Sequence, residues 1–313
     1  MHLKERIIAY LITLAVLSGL GWCTSLGAAT APGDVPVRHN RYVYGYSAQL
    51  FYNVNQKDLT GLLKVFTRLT ERKMKDPGET SLVVYDRVSD MEKALARNEV
   101  DILIMIPEDF VSLRAQYQLD PILSADYGDH FYNEILLLVR KDSGITDVGK
   151  LRGKSLLVDV GQQGTIPMKW LDSLLATRIS SYAKGFFGNI REHAKSNQVI
   201  TQVFFGKTDA CLVSRNSFEL SAELNPQLKN KLHILEKSPG FVTGIIAARK
   251  GLKKSTRDDI AKILAEMYTD PKGKQIMTLF RINRLVPCLP EHLISVEKLI
   301  YEHSTKNYFS AQR

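Results

Sequence analysis

One stretch of the chain, residues 150–178 (KLRGKSLLVDVGQQGTIPMKWLDSLLATR), carries residue types suited to binding an anion. Leu156, Leu157 and Val158 form a compact apolar run, as in a strand buried on both faces. Gly161 and Gly164 punctuate the turn that follows. Thr165 is a good N-cap residue, and Pro167 falls in the first helical turn, where a missing N–H costs little. Pro167, Leu171, Leu174, Leu175 and Arg178 then share one face at helical spacing. A helix that starts after a glycine-containing loop offers unpaired N–H groups and a partial positive charge, which together make a seat for an oxyanion. The same strand, turn and helix also serve as plain scaffold in many α/β proteins, so other groups must converge on it before it becomes a site.

Catalytic chemistry has no comparable support. The chain contains no Gly-x-Ser-x-Gly, His-Glu-x-x-His or Walker pattern. Its seven histidines are scattered, and none stands at metal-ligand spacing from another ligand. The pair Asp258-Asp259 reads as the charged face of a helix. No catalytic residue, no metal and no cofactor is expected.

The elements that would position an anion site follow in order. The first residues, MHLKERIIAYLITLAVLSGLGWCTSLGAATAPGD, combine a basic start, an apolar run from Ile7 to Leu20 and a small-x-small Ala29-Thr30-Ala31, which reads as a secretory signal peptide over residues 1–31. An uncleaved anchor is the alternative, although the run is short of the roughly 20 residues a span needs. Lipidation of Cys23 is discounted because Trp22 stands where a small residue is required. Cleavage leaves Cys211 and Cys288, which read as two buried thiols rather than a bridge. The 313 residues, 44% hydrophobic, are enough for two domains with cores of their own. Net charge is +9, dispersed without an Arg- or Lys-rich run. For an exported chain this favours small anions or acidic surfaces over nucleic acid.

From Arg41 the pattern is alternating. YVYGYS (42–47), SLVVYD (81–86) and DILIMI (101–106) read as strands, separated by an amphipathic helix over 58–74 and a short helix with a Ser89/Glu92 capping box. Pro107 opens the next helix. Such βαβαβ alternation predicts a parallel, doubly wound sheet with ligands beyond its carboxyl ends, here near Ser47, Asp86 and Pro107. Asn133–Lys141 is a long apolar strand. A second series follows: 156–158, the helix from Thr165, Phe186-Phe187, a helix around 197–205 and DACLV (209–213). Gly244–Arg249 is a return strand, followed by a helix capped by Ser255 and a last helix over 291–303.

The run YNEILLLVRKDSGITDVGKLRGKSLLVDV resembles the linker strand and second-lobe entry of type II periplasmic solute-binding proteins. The nearest subgroup is the phosphate/phosphite/phosphonate-binding subunits of ABC transporters. MEKALARNEVDILIMIPEDF, QVFFGKTDACLVS and GIIAARKGL with IAKILAEMYTDPKGKQIM resemble further segments of that family, in order. The resemblance implies an α/β fold of two lobes, each a mainly parallel sheet flanked by helices, joined by two hinge crossings. Residues 41–138 with 244–313 would form the first lobe and 143–240 the second. It implies a monomer in the periplasm that clamps a small anionic solute (phosphonate, phosphate-like or another oxyanion) and delivers it to a membrane permease. A sensor reporting its ligand to a membrane signalling partner is the alternative.

The family loop is rich in Ser and Thr. Here Gly161-Gln162-Gln163-Gly164-Thr165 stands in that place, with one hydroxyl and two side-chain amides that donate hydrogen bonds. Lys195-Ser196 occupies the place of a family Ser-His pair, and Ser214 follows the Asp-Ala strand where the family often has an acidic residue. The expected binding residues are therefore Gln162, Gln163, Gly164, Thr165, Ser196 and Ser214 from the second lobe, with Ser47, Tyr85 and Phe110 from the first. Lys195 adds charge to the cleft or lies on the solvated surface. Phe110 serves either the cleft or the core.

Overall fold

A computed structural model describes residues 40–51, 56–76, 78–128, 131–161 and 164–310. The expected signal peptide and Cys23 lie outside the described residues.

Eleven strands are described: β1 (Asn40–Ser47), β2 (Gly78–Tyr85), β3 (Ile102–Met105), β4 (Leu119–Asp126), β5 (Ile135–Arg140), β6 (Ser155–Asp159), β7 (Asn189–His193), β8 (Ala210–Ser214), β9 (Leu232–Lys237), β10 (Ile245–Arg249) and β11 (Arg284–Pro287). They form two sheets, ordered β11-β4-β10-β3-β1-β2 and β7-β6-β8-β5-β9. The chain crosses from the first sheet to the second between β4 and β5, and returns between β9 and β10. The expected boundary at residue 138 is redrawn: β5 pairs with β8 and β9, so it belongs to the second sheet.

Neither sheet is parallel throughout. β1 runs parallel to β2 and β3, and β6 parallel to β7 and β8, as the strand–helix alternation predicts. β10, β4 and β11 join the first sheet antiparallel, and β5 and β9 do the same in the second. The strands that add antiparallel edges include the ones that carry the chain between sheets. The parallel triplets leave β1, β2 and β3 ending at one edge and β6, β7 and β8 ending at another, with helices starting there.

Those helices are α1 (Gln56–Lys73), α2 (Val88–Ala96), α3 (Pro107–Tyr117), α4 (Ile166–Ile179), α5 (Ser196–Phe204), α6 (Arg215–Leu224), α7 (Gln227–Lys231), α8 (Lys254–Ala265), α9 (Pro271–Leu279) and α10 (Pro290–Ser310). Several expected caps are displaced. Ser89 and Ser255 fall inside their helices, whose N-caps are Arg87 and Lys253 with no side-chain cap bond. Ser214 caps α6, accepting from the Ser217 N–H at 3.2 Å, and Asp270 caps α9 through the N–H groups of Lys272 and Gly273 at 3.0 and 3.1 Å. Phe186 and Phe187, expected as a strand, are buried in a turn, and the strand follows them as β7.

The apolar faces of the elements build a core that runs through both sheets. Leu103, Met105, Ile135, Leu137, Leu156, Val158, Leu212 and Ala247 belong to one buried cluster. A second cluster lies under α1 and α8 in the first sheet, and a third under α5 and α6 in the second. Cys211 and Cys288 are both free and buried, which raises both thiols, that of Cys288 to about 11.

The two crossings are bonded to each other. Asn133 and Phe241 exchange backbone hydrogen bonds of 2.8 and 3.0 Å. Behind them α10 reaches both halves: Glu297 pairs with Arg114 of α3, and His303 lies 3.5 Å from Asp172 of α4. No helix among the described residues is long and apolar enough to cross a membrane.

Candidate functional site

The structure divides the binding residues expected from the second lobe into two groups, one at the start of α4 and one at the starts of α5 and α6. Gln162 and Gln163 lie outside the described residues.

At α4 the anion is the chain's own. The Glu108 carboxylate, from the first turn of α3, accepts a hydrogen bond from the Thr165 N–H at 3.0 Å. The Thr165 hydroxyl and the Lys169 ammonium also donate to it. This corrects the role expected for Thr165, whose hydroxyl bonds a carboxylate across the two sheets and caps no N–H of α4. The physics is that of any anion at a helix start: unpaired N–H groups and the dipole favour negative charge, and Glu108 supplies it. Burial alone raises the Glu108 pKa, but the bonds from Lys169 and Thr165 outweigh it and the net direction is down. Gly164 makes the approach possible. Its φ is +56°, and a Cβ there would meet Glu108 Oε2 at 2.8 Å and Ile106 Cδ1 at 3.0 Å.

Beside Glu108, Asp109 titrates in the opposite direction. Burial, with Glu108's charge adding, pushes its carboxyl up to about 7. A folded pKa raised above the unfolded value means that the folded state holds the proton longer. The stability that Asp109 contributes is therefore complete below about pH 4 and is lost as pH rises from about 4 to about 7. The loss across that window is on the order of 2–4 kcal/mol. Thermal unfolding of wild type at pH 5 and pH 8 checks this. Asp109→Asn, which cannot ionise, is expected to flatten most of the difference, and an unchanged pH slope would assign it to another group.

The first-sheet residues expected at the cleft are put to other uses. Phe110 is fully buried in the core, with the Arg114 guanidinium 5.7 Å from its ring centre, so of the two roles open to it the structure chooses packing. α3 turns position 110 inward, and an apolar ring without a polar handle gains most there. Tyr85 packs against the same core across Gly45, where a Cβ would meet its ring at 2.8 Å. Ser47 is buried at the end of β1, opposite Tyr85 in register.

The second group does line a cavity. It has a volume of 630 Å³ and lies between the carboxyl edge of the second sheet and the first sheet. Lys195, Ser196, Asn197, Ser214, Asn216 and Ser217 form one wall, from the starts of α5 and α6. Across it stand Leu50, Phe51, Phe66, Tyr127, Phe280 and Arg281 among others. Lys195 and Arg281 are exposed and make no ion pair among the described residues, and the described lining contains no carboxylate. Two cations without an ion pair, Lys195 on the wall of hydroxyls and amides and Arg281 across from it, make the cavity favourable for an anion.

The two helix starts on that wall differ. At α6 the N–H groups are satisfied within the protein: Arg215 donates to the Glu134 carbonyl at 2.8 Å, Asn216 to Asn133 Oδ1 at 3.2 Å, and Ser217 to Ser214 Oγ. Ser214 thus shapes the wall as a cap. At α5 the Gln198 and Val199 N–H groups both go to the Lys195 carbonyl, while the Asn197 N–H has no acceptor among the described residues. The Ser196 hydroxyl bonds the buried Asp159, whose carboxyl burial raises against the pull of Ser196, the Gly161 N–H and His193. Among the described residues, the open backbone donor at the cavity is therefore the Asn197 N–H of α5.

Sequence reasoning missed Glu108, Arg281 and Asn133. Glu108 reads as a first-turn acid serving its own helix. Arg281 follows α9 in left-handed backbone (φ +59°), where glycine is usual, and that has no mark in the sequence. Asn133 joins the hinge to the site, with its backbone on Phe241 and its side chain on α6.

The fold and its family are known elsewhere. A family model described as the ABC transporter, phosphonate, periplasmic substrate-binding protein matches residues 59–293. Among solved structures, XAC2383 from Xanthomonas citri bound to ATP superposes with a TM-score of 0.65 at 17% identity, over 85% of this chain and 97% of that one. PhnD1 from Prochlorococcus marinus in complex with methylphosphonate gives 0.62 at 14% identity, over 84% and 97%. A binding protein component of an ABC phosphonate transporter from Pseudomonas aeruginosa gives 0.61 at 11% identity, over 85% and 87%. No curated protein matches in sequence. With two sheets joined by two crossings, the fold is that of type II periplasmic binding proteins, and the chain belongs to the family of phosphonate substrate-binding proteins of ABC transporters.

Proposed function

We propose that the solute is a small oxyanion of the phosphonate type, held in the 630 Å³ cavity and passed to an ABC permease. The observation that carries this reading is the charge of the cavity: Lys195 and Arg281 line it, and no described lining residue is acidic. The anion's oxygens take the Asn197 N–H and the Lys195 ammonium from α5, with Arg281 closing from the other side. Ser196 and Ser214 hold the wall in shape through their own bonds. Glu108 is left to tie the two sheets together at α4. The protein acts as a monomer in the periplasm after cleavage behind Ala31, and it takes no part in catalysis.

The test is thermal unfolding of the mature chain with methylphosphonate, phosphate, phosphite and methanesulfonate. At a hundredfold its dissociation constant, a ligand adds about 2.7 kcal/mol of stability. A rise in melting temperature with at least one phosphorus oxyanion is expected. No rise with any of the four at millimolar concentration would remove the reading.

A further inference from the structure

The cavity is larger and greasier than a bare oxyanion requires. Its volume is 630 Å³, within the range of pockets that bury drug-sized ligands, about 300–1,000 Å³. A tetrahedral oxyanion with a methyl group has five heavy atoms and fills a small part of it. Most of the lining is apolar and includes Phe51, Phe66, Ile104, Tyr127, Ile246 and Phe280. The Phe51 and Phe280 rings meet edge to face at 4.9 Å. The floor is the first sheet's own core, since Leu63, Ile246 and Leu285 line the cavity and also belong to the buried cluster under α1 and α8. An apolar recess of this kind gains free energy only when apolar surface fills it.

Resting on the reading that this cavity is the solute site, we infer that the ligand is an amphipathic oxyanion: a phosphonate or phosphate monoester whose substituent is an alkyl chain or an aromatic ring. The head lies at Lys195, Asn197 and Arg281. The substituent runs into the recess between Phe51, Phe66 and Phe280. The two ends of such a ligand match the two kinds of lining in one cavity: the cations Lys195 and Arg281 with the hydroxyls and amides of α5 and α6, and the apolar residues of the first sheet and α9. A hydrophilic anion alone would leave the apolar lining in contact with water.

Calorimetry on the mature protein with methyl-, butyl-, hexyl- and phenylphosphonate, and with hexyl phosphate as the ester arm, tests this. Each buried methylene is expected to tighten binding about two- to fourfold, so that hexylphosphonate binds about thirty- to a thousandfold more tightly than methylphosphonate. Phe280→Ala is expected to flatten that dependence. A flat series in the wild type, with methylphosphonate bound as tightly as the longer homologues, would overturn the inference while leaving oxyanion binding in place. A steep series that survives unchanged in a folded Phe280→Ala would also overturn it, since the chain would then lie elsewhere. Failure of every phosphonate and of hexyl phosphate to bind would remove both this inference and the reading it rests on.

Discussion

Methylphosphonate binding is expected to weaken by about a hundredfold or more when Lys195→Ala and Arg281→Ala are combined. Each cation is worth what a hydrogen bond to a charged group contributes, about 1.5–3 kcal/mol where water is displaced. Both stand on the solvent side of the cavity, which places each near the lower end of that range. Together they reach about 3 kcal/mol, or a factor of a hundred or more. The Asn197 N–H and the α5 dipole remain, so binding is weakened and not abolished. The folded state should hold, because no carboxylate among the described residues is left unpaired by either change. Raising salt should weaken wild-type binding more than binding by the double variant, since screening acts on the charges that the variant lacks. Calorimetry at two ionic strengths checks both statements. Wild-type affinity in the double variant would move the anion to another part of the molecule.

Glu108→Ala is expected to cost about 2–4 kcal/mol of stability and to loosen the closure of the two sheets. The carboxylate satisfies the Thr165 N–H, the Thr165 hydroxyl and the Lys169 ammonium. Lys169 is only 20% exposed at its side chain, so deleting its partner leaves a half-buried charge without compensation. Glu108→Ala with Lys169→Ala should therefore cost less than the sum of the two single changes, the mark of a coupled pair. Gly164→Val approaches the same contact from the other side. It forces a branched side chain into left-handed backbone and into Glu108 Oε2 and Ile106, so it should separate the sheets without touching any charge. Small-angle scattering on the ligand-free protein reads the result. Both Glu108→Ala and Gly164→Val are expected to have a larger radius of gyration than wild type, and ligand should restore part of it. An unchanged radius and melting temperature in both would show that the contact carries none of the closure. The hinge that such opening needs is the bonded pair of crossings at Asn133 and Phe241.

What the sequence by itself determined is the part of the fold encoded by local pattern. The apolar runs at 42–47, 101–106, 156–158, 209–213 and 244–249 became β1, β3, β6, β8 and β10, because a run of that length and branching has few other ways to be buried. β4, β9 and β11 were not legible. Leu119–Asp126 contains Pro121 and two aspartates, Leu232–Lys237 is interrupted by His233 and Glu236, and Arg284–Pro287 is four residues long. All three pair antiparallel to a strand distant in the chain, and only that partner makes them strands. The family was legible because its segments keep their order and spacing along the chain, and matching such a pattern needs no knowledge of contacts.

The start of α4 was legible as a seat for negative charge and no further. That an anion belongs at the start of α4 follows from glycine, an N-cap residue and helix electrostatics, all local to residues 161–167. Which anion sits there is a contact across 57 residues of chain, between Glu108 and Thr165, and no local pattern encodes it. Likewise Lys195 could be placed at a helix start and Ser214 after the Asp-Ala strand, but that Ser214 spends its hydroxyl on α6 while Lys195 faces a cavity shared with Arg281 depends on two sheets brought face to face. Pattern is a property of neighbours in sequence, and the charge and shape of this cavity are properties of surfaces that meet only after the chain has crossed between sheets twice.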